Sequence, residues 1–269
     1  MAASARVPTA DGKDVFSMRI ISASNYEGMS RKAASLLAAQ VVFKRDSVLG
    51  LATGSTPLGI YRCLIDWYQQ GILDFSAVHS VNLDEYCGLS PEHDQSYAYY
   101  MDSNFFRHIN IQKENTHIPD GLAEDPDGEG ARYDALIRSL GGTDIQLLGI
   151  GHTGHIGFNE PAPQFVKPTH RVELNRKTIE ANARFFASEA DVPRYAVTMG
   201  IGSIMAAKKI LLAANGEGKA EILYEAFFGP ITPQVPASIL QLHPDVTVVA
   251  DEAALQVIGE KAPEAMKGC

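Results

Sequence analysis

The chain has 269 residues, of which 45% are hydrophobic, and its formal net charge at pH 7 is −9. This composition supports the buried core of one large domain or two small ones, and the acidic balance argues against general nucleic-acid binding. No apolar run approaches the ~20 residues that cross a bilayer, and the first residues lack the pattern of a signal peptide. The three cysteines show no CxxC spacing, which predicts a cytoplasmic protein with neither a disulfide framework nor a zinc site.

Strand-like and helix-like stretches alternate along the chain. A strand over 18–23 precedes Ser24-Asn25-Tyr26-Glu27, a capping-box pattern that predicts the start of the first helix. Further apolar runs predict strands over 47–53, 78–83, 144–150, 208–214 and 246–251. Helices are predicted over 57–70, 98–108, 129–140, 201–207 and 217–227.

Short apolar strands separated by helices predict one α/β domain, in which helices cover both faces of a mostly parallel sheet. We expect a loose leader over residues 1–17, the domain over 18–260 and a tail over 261–269. Ligands of such sheets bind beyond the carboxyl ends of the strands. Motifs that directly follow a strand are therefore the candidates for a functional site.

The first candidate is Thr53-Gly54-Ser55-Thr56, between a predicted strand and a helix that Pro57 suits as its first residue. Gly54 would let the backbone approach a ligand, and the free amides of a helix N-terminus favour a phosphate. An ordinary turn with a hydroxyl cap is the alternative. The stretch is neither a Walker loop nor a GxGxxG turn, so it implies no nucleotide.

Two acids form the second candidate, since Asp84 and Glu85 follow the apolar run over 78–83. A solvated turn is the commoner explanation of such a pair. At the ligand-binding edge of the sheet, however, a carboxylate could remove a proton from carbon.

The third candidate is GIGHTGHIGFNEP, residues 149–161, which follows another predicted strand. His155 titrates near neutrality, and Glu160 could fold back to orient its imidazole. The alternative is a structural glycine turn with a hydrogen-bonded core histidine. We interpret His152 as structural, because its sequence neighbours offer no partner.

Two basic residues complete the candidates, although both could be ordinary surface charges. Arg184 lies in the polar and aromatic stretch ANARFF, which could cover a site. Lys219 follows a strand and opens a helix, where the helix dipole disfavours a cation unless an anion is bound.

Together, the stretches ATGSTP, NLDEY, GIGHTGHIGFNEP, ANARFF and GEGKAE resemble the glucosamine-6-phosphate deaminase (isomerising) family in its short bacterial form. The likeness extends over roughly residues 18 to 252. It implies a modified Rossmann-like fold and a cytoplasmic enzyme of amino-sugar catabolism. The implied reaction converts glucosamine 6-phosphate and water to fructose 6-phosphate and ammonia, without a metal or a cofactor.

The resemblance also implies a role for each candidate. His155 would be the acid and base that opens the sugar ring, and Glu160 would orient it. Asp84 would move the C2 proton to C1. Residues 53–56, with Arg184 and Lys219, would hold the 6-phosphate or the sugar hydroxyls.

The chain departs from the family two residues before the histidine, where many members carry Asp and some Asn but this sequence has Thr153. A hydroxyl can hydrogen-bond but cannot hold a charge, so we expect His155 to depend more on Glu160. The resemblance is compatible with a homo-oligomer. Allosteric hexameric relatives hold an activator's phosphate with serine, arginine and lysine at positions occupied here by Pro163, His170 and Val172, which predicts hyperbolic kinetics.

Three other functions remain as alternatives. A 6-phosphogluconolactonase resembles this fold and shares a GxGxxGH turn, but GHIGFNEP is the deaminase version. A galactosamine-6-phosphate deaminase would carry the same motifs. A phosphosugar-sensing module without catalysis would keep the TGSTP loop and Lys219, yet the presence of Asp84, His155 and Glu160 together speaks against it.

Overall fold

A sheet of eight strands forms the centre of the computed structural model, which describes residues 3–6, 17–176, 179, 180, 183, 186, 188 and 191–267. In chain order the strands are β1 (Ala3–Arg6), β2 (Ser17–Ala23), β3 (Val48–Leu51), β4 (His79–Asn82), β5 (Asp84–Tyr86), β6 (Thr116–His117), β7 (Ile145–Leu148), β8 (His170–Glu173), β9 (Tyr195–Thr198), β10 (Ile210–Ala214) and β11 (Asp245–Asp251). The large sheet has the order β1-β2-β11-β10-β7-β3-β4-β6. Within it β1 pairs with β2 antiparallel, and the other neighbouring strands are parallel.

Helices follow the strands as the sequence predicts. They are α1 (Tyr26–Phe43), α2 (Leu58–Gln69), α3 (Tyr97–Asn104), α4 (Pro126–Ser139), α5 (Ile201–Met205), α6 (Ala220–Phe228) and α7 (Glu252–Lys261). Short 3₁₀ turns cover Phe106–His108, Lys113–Asn115, Glu217–Lys219, Pro236–Leu242 and Pro263–Met266. The predicted capping box was wrong by one residue: Asn25, not Ser24, caps α1 and accepts from the Gly28 amide at 2.9 Å.

The central strands are buried on both faces. Each residue of β3, β7 and β10 is buried, and successive side chains of a strand point to opposite faces. Elements must therefore cover both faces of the sheet, as in other doubly covered parallel sheets. The predicted single α/β domain with a mostly parallel sheet is confirmed.

A second, three-stranded antiparallel sheet of order β5-β9-β8 was not predicted. Its strands have three or four residues, and β8 alternates half-buried and exposed positions. Such short, polar strands carry little apolar periodicity. Asp84 opens β5 opposite Thr198 of β9, so the second sheet fixes its backbone where the sequence suggested a turn.

The chain ends depart from the expected loose leader and tail. Residues Ala3–Arg6 of the leader form β1, which pairs with the backbone groups of β2 that would otherwise be an open edge. In the tail, Ala265 is buried and Met266 packs against the core. Among the described residues, no helix is both long and apolar enough to cross a membrane.

Candidate functional site

The strand-end motifs meet in one cavity of about 450 Å³. It lies beyond the carboxyl ends of β10, β7, β3 and β4, which are neighbours in the sheet. Predicted candidates that line it are Thr53, Gly54, Ser55, Thr56, Asp84, His155 and Lys219. The position agrees with the rule that open α/β sheets bind ligands at this edge.

The loop of residues 53–56 forms one wall of the cavity, between β3 and α2. Gly54 has a φ of +100°, a conformation that favours glycine. Helix α2 begins after Pro57 without a side-chain cap, so its first amides are available to an anion. The Thr56 hydroxyl donates to Oδ1 of Asn215 at 3.0 Å, which ties the loop to the end of β10.

Asp84 and Glu85 have different environments although they are adjacent. The Glu85 carboxylate accepts from the amides of Tyr86, Tyr97 and Ala98 at 2.8–2.9 Å and so anchors the start of α3. Asp84 is also buried but lines the cavity. Burial, and secondarily the neighbouring Glu85, raises the pKa of Asp84 to about 8. Only Asp84 is thus placed to exchange a proton with a ligand.

The glycine turn after β7 presents His155 to the cavity. A side chain at Gly151 would overlap the imidazole ring, so glycine is required there. Gly157 has a φ of +57°, and a Cβ on it would lie 3.3 Å from Oδ2 of Asp84. The turn therefore brings the backbone close to both titratable groups.

A short relay connects the imidazole to a carboxylate. Nδ1 of His155 lies 2.9 Å from the Thr153 hydroxyl oxygen and 3.2 Å from Oε2 of Glu160. The Thr153 hydroxyl donates to the same carboxylate oxygen at 3.1 Å. Since this donation uses the hydroxyl proton, Nδ1 serves as a donor and Nε2 is left to exchange protons.

Lys219 stands at the start of α6, at the end of the cavity formed by β10. Burial lowers the pKa of its ammonium group. His152 also lines the cavity beside Gly218, and the charge of Lys219, followed by burial, lowers the pKa of His152. The interpretation of His152 as purely structural was therefore wrong, because its partners lie far along the chain.

Other predicted residues lie away from this cavity. Arg184 is outside the described residues. Thr153 and Glu160 contact His155 but line a second cavity of about 550 Å³. Sequence reasoning missed Asn215, although it directly follows the predicted strand over 208–214 and could have been found by the rule applied to the other motifs.

The model of a family described as glucosamine-6-phosphate isomerases/6-phosphogluconolactonase matches residues 23–249. The chain belongs to this family. It is 61% identical to the glucosamine-6-phosphate deaminase of Lachnoclostridium phytofermentans, over 86% of this chain and 98% of the relative.

Solved structures of the family share the fold. A monomeric glucosamine-6-phosphate deaminase superposes with a TM-score of 0.86 at 48% identity, covering 88% of this chain and 99% of its own. The 6-phosphogluconolactonase from Trypanosoma cruzi has a TM-score of 0.69 at 19% identity, covering 90% and 96%. At that identity, the second likeness shows the fold alone.

Proposed function

We propose that this family member is a cytoplasmic isomerising deaminase, which converts glucosamine 6-phosphate and water to fructose 6-phosphate and ammonia in amino-sugar catabolism. The observation that carries the proposal is the presence of two separate proton-exchanging groups in one cavity, Asp84 and the His155–Glu160 pair. Hydrolysis of a lactone needs one base to activate water. Ring opening followed by enolisation needs two groups, and the 61% identity to a deaminase supports the same conclusion.

His155 opens the sugar ring. Its Nε2 takes the proton of the C1 hydroxyl and delivers a proton to the ring oxygen as the C1–O5 bond breaks. Glu160 and Thr153 hold Nδ1 and stabilise the imidazolium that forms between these transfers. The product is an open-chain aldehyde, which makes the C2 proton acidic.

Asp84 performs the isomerisation. Its carboxylate removes the proton from C2, giving an enolamine, and the carboxylic acid then returns that proton to C1. The C2–N bond becomes a ketimine, which water hydrolyses to fructose 6-phosphate and ammonia. A raised pKa suits this role, because the acid must retain the proton between the two carbons.

Residues 53–56 and Lys219 bind the 6-phosphate. Loop amides and the N-terminus of α2 supply hydrogen-bond donors, and Lys219 supplies a cation that is otherwise desolvated. Arg184 is proposed as a further phosphate contact from the resemblance alone. Each group needed for the chemistry belongs to the chain itself, so the proposal includes no metal and no cofactor.

The test is an ammonia-release assay of the purified protein with glucosamine 6-phosphate, galactosamine 6-phosphate and unphosphorylated glucosamine. We expect rapid release from the first, and transfer of C2 deuterium to C1 or its exchange with solvent. The Asp84→Asn variant should lose turnover by ~10²–10⁴-fold while still binding substrate. Acid release from 6-phosphogluconolactone without ammonia from any hexosamine phosphate would identify a lactonase instead, and preference for the galactosamine compound would change the epimer.

A further inference from the structure

Three tyrosines from three different helices hold the carbonyl groups of the loop that forms the phosphate wall. Tyr26 belongs to α1, Tyr61 to α2 and Tyr100 to α3. Their hydroxyls donate to the oxygens of Ala52 (from Tyr61, 2.5 Å), Gly54 (from Tyr100, 2.6 Å), and Ser55 and Thr56 (both from Tyr26, 3.0 and 3.2 Å). A hydrogen bond thus reaches the loop carbonyls from three sides of the fold.

These hydroxyls approach the loop from outside the cavity. The loop residues line the cavity, whereas none of the three tyrosines is among its described lining residues. Tyr100 instead lines a separate space of about 170 Å³, which Gly54 and Ser55 border from the other side. The loop therefore lies between the tyrosines and the volume in which a substrate would bind.

The orientation of each peptide follows from its planarity. In a trans peptide, the carbonyl of one residue and the amide N–H of the next point in opposite directions, and the described chain contains no cis peptide bond. A Gly54 carbonyl directed at Tyr100 turns the Ser55 amide the other way. A Ser55 carbonyl directed at Tyr26 does the same for the Thr56 amide.

We propose that Tyr26 and Tyr100 are positioning residues that turn loop carbonyls away from the bound phosphate and aim the Ser55 and Thr56 amides at it. This inference rests on the proposed phosphate site. Carbonyl oxygens would repel a dianion, whereas fixed amides bind it without the cost of reorganisation. Gly54, at a φ of +100°, provides the backbone conformation that this turn requires.

Two further observations fit the role. The Tyr26 oxygen accepts from the Gly59 amide at 2.8 Å, which ties the loop to the first turn of α2. Burial raises the pKa of Tyr100 well above its ordinary range, so its hydroxyl remains a donor throughout the pH range of an assay. Both tyrosines are half-buried and replaceable by phenylalanine without loss of ring packing.

The test compares Tyr26→Phe and Tyr100→Phe with Tyr99→Phe, a matched control on an exposed position of α3. Loss of one hydrogen bond typically changes an equilibrium by about fivefold. We expect each positioning variant to raise both the KM for glucosamine 6-phosphate and the inhibition constant of inorganic phosphate by about fivefold, with kcat changed by less than about twofold. The control should match the wild type.

The outcomes separate the clamp from the enzyme's proposed activity. Unchanged KM and phosphate inhibition in both variants, or a fall in kcat alone, would overturn the positioning role and leave the deaminase activity standing. If the wild type released no ammonia, phosphate binding followed by thermal stabilisation would still report on the tyrosines. Weaker phosphate stabilisation in the two variants, with the control unaffected, would then support the clamp although the proposed function had failed.

Discussion

Raising the pH from about 6 to about 9 is expected to increase kcat/KM through ionisation of Asp84. The pKa of this carboxyl is raised to about 8, primarily by burial and secondarily by Glu85. At pH 7, about one free enzyme molecule in ten would then carry the carboxylate that enolisation requires. We therefore expect kcat/KM at pH 7 to be about a tenth of its plateau, with a single-proton acid limb.

The assay measures initial rates of ammonia release in constant-ionic-strength buffers over this pH range. The substrate amine also titrates, so inhibition by fructose 6-phosphate, which lacks the amine, serves as a control for binding. Glu160→Gln should retain the limb that belongs to Asp84. A kcat/KM that stayed flat between about pH 6 and 8 would refute the reasoning, since a base with this pKa could not produce it.

The same shift has a consequence for stability. Because the folded-state pKa lies above the model value of 3.8, at about 8, the folded protein binds this proton more tightly than the unfolded chain. The contribution of Asp84 to stability is therefore complete below about pH 4 and declines as the pH rises towards 8. Asp84→Asn should gain stability relative to the wild type between these limits, measured by urea unfolding, and a relative loss would contradict the assignment.

Three further predictions concern the surroundings of this base. Glu160→Gln should lower kcat/KM by about tenfold or more and shift its pH profile, because the imidazolium of His155 loses its carboxylate partner; an unshifted profile would count against their coupling. Lys219→Ala should raise KM for the phosphosugar by about tenfold, more than it lowers kcat, whereas the exposed control Lys209→Ala should not. Equal processing of unphosphorylated glucosamine would contradict the phosphate assignment. Rates should depend hyperbolically on substrate with or without N-acetylglucosamine 6-phosphate, and a sigmoidal curve made hyperbolic by that compound would reveal an activator site.

The regulatory prediction gains a structural setting from the second cavity. His170 and Val172, at positions where allosteric relatives place cations, line this cavity with Thr153 and Glu160. Arg176 also borders it, but its guanidinium bonds the Glu160-independent carboxylate of Glu180 at 2.8 Å. An anionic effector would have to compete with that ion pair, which disfavours activation by this route.

The sequence predicted the large sheet and most of the cavity because both depend on local patterns. Continuous apolar runs such as β7 and β10 are recognisable without knowledge of their neighbours. The strand-end rule then placed Asp84, His155 and Lys219 at one edge before any contact was known. Their convergence in one cavity follows from the parallel strand order.

Contacts between distant segments could not be predicted in this way. Neither the Thr56–Asn215 hydrogen bond nor the approach of His152 to Gly218 has a local signature. The second sheet escaped recognition because its strands are short and partly polar. The hydroxyl contacts of Tyr26 and Tyr100 depend on how α1 and α3 pack around the loop, which amphipathic spacing alone does not specify.

The charges of the empty cavity explain why an amino sugar phosphate suits it better than either charge alone. Burial disfavours the charged form of both Lys219 and Asp84, lowering the pKa of the first and raising that of the second. In the proposed complex, the phosphate restores the ammonium form of Lys219, and the substrate's own ammonium group favours ionisation of Asp84. The substrate thus charges the base that acts on it. Fructose 6-phosphate carries the phosphate but no amine, so Asp84 regains its neutral form once ammonia departs, and the product loses the interaction that favoured the substrate.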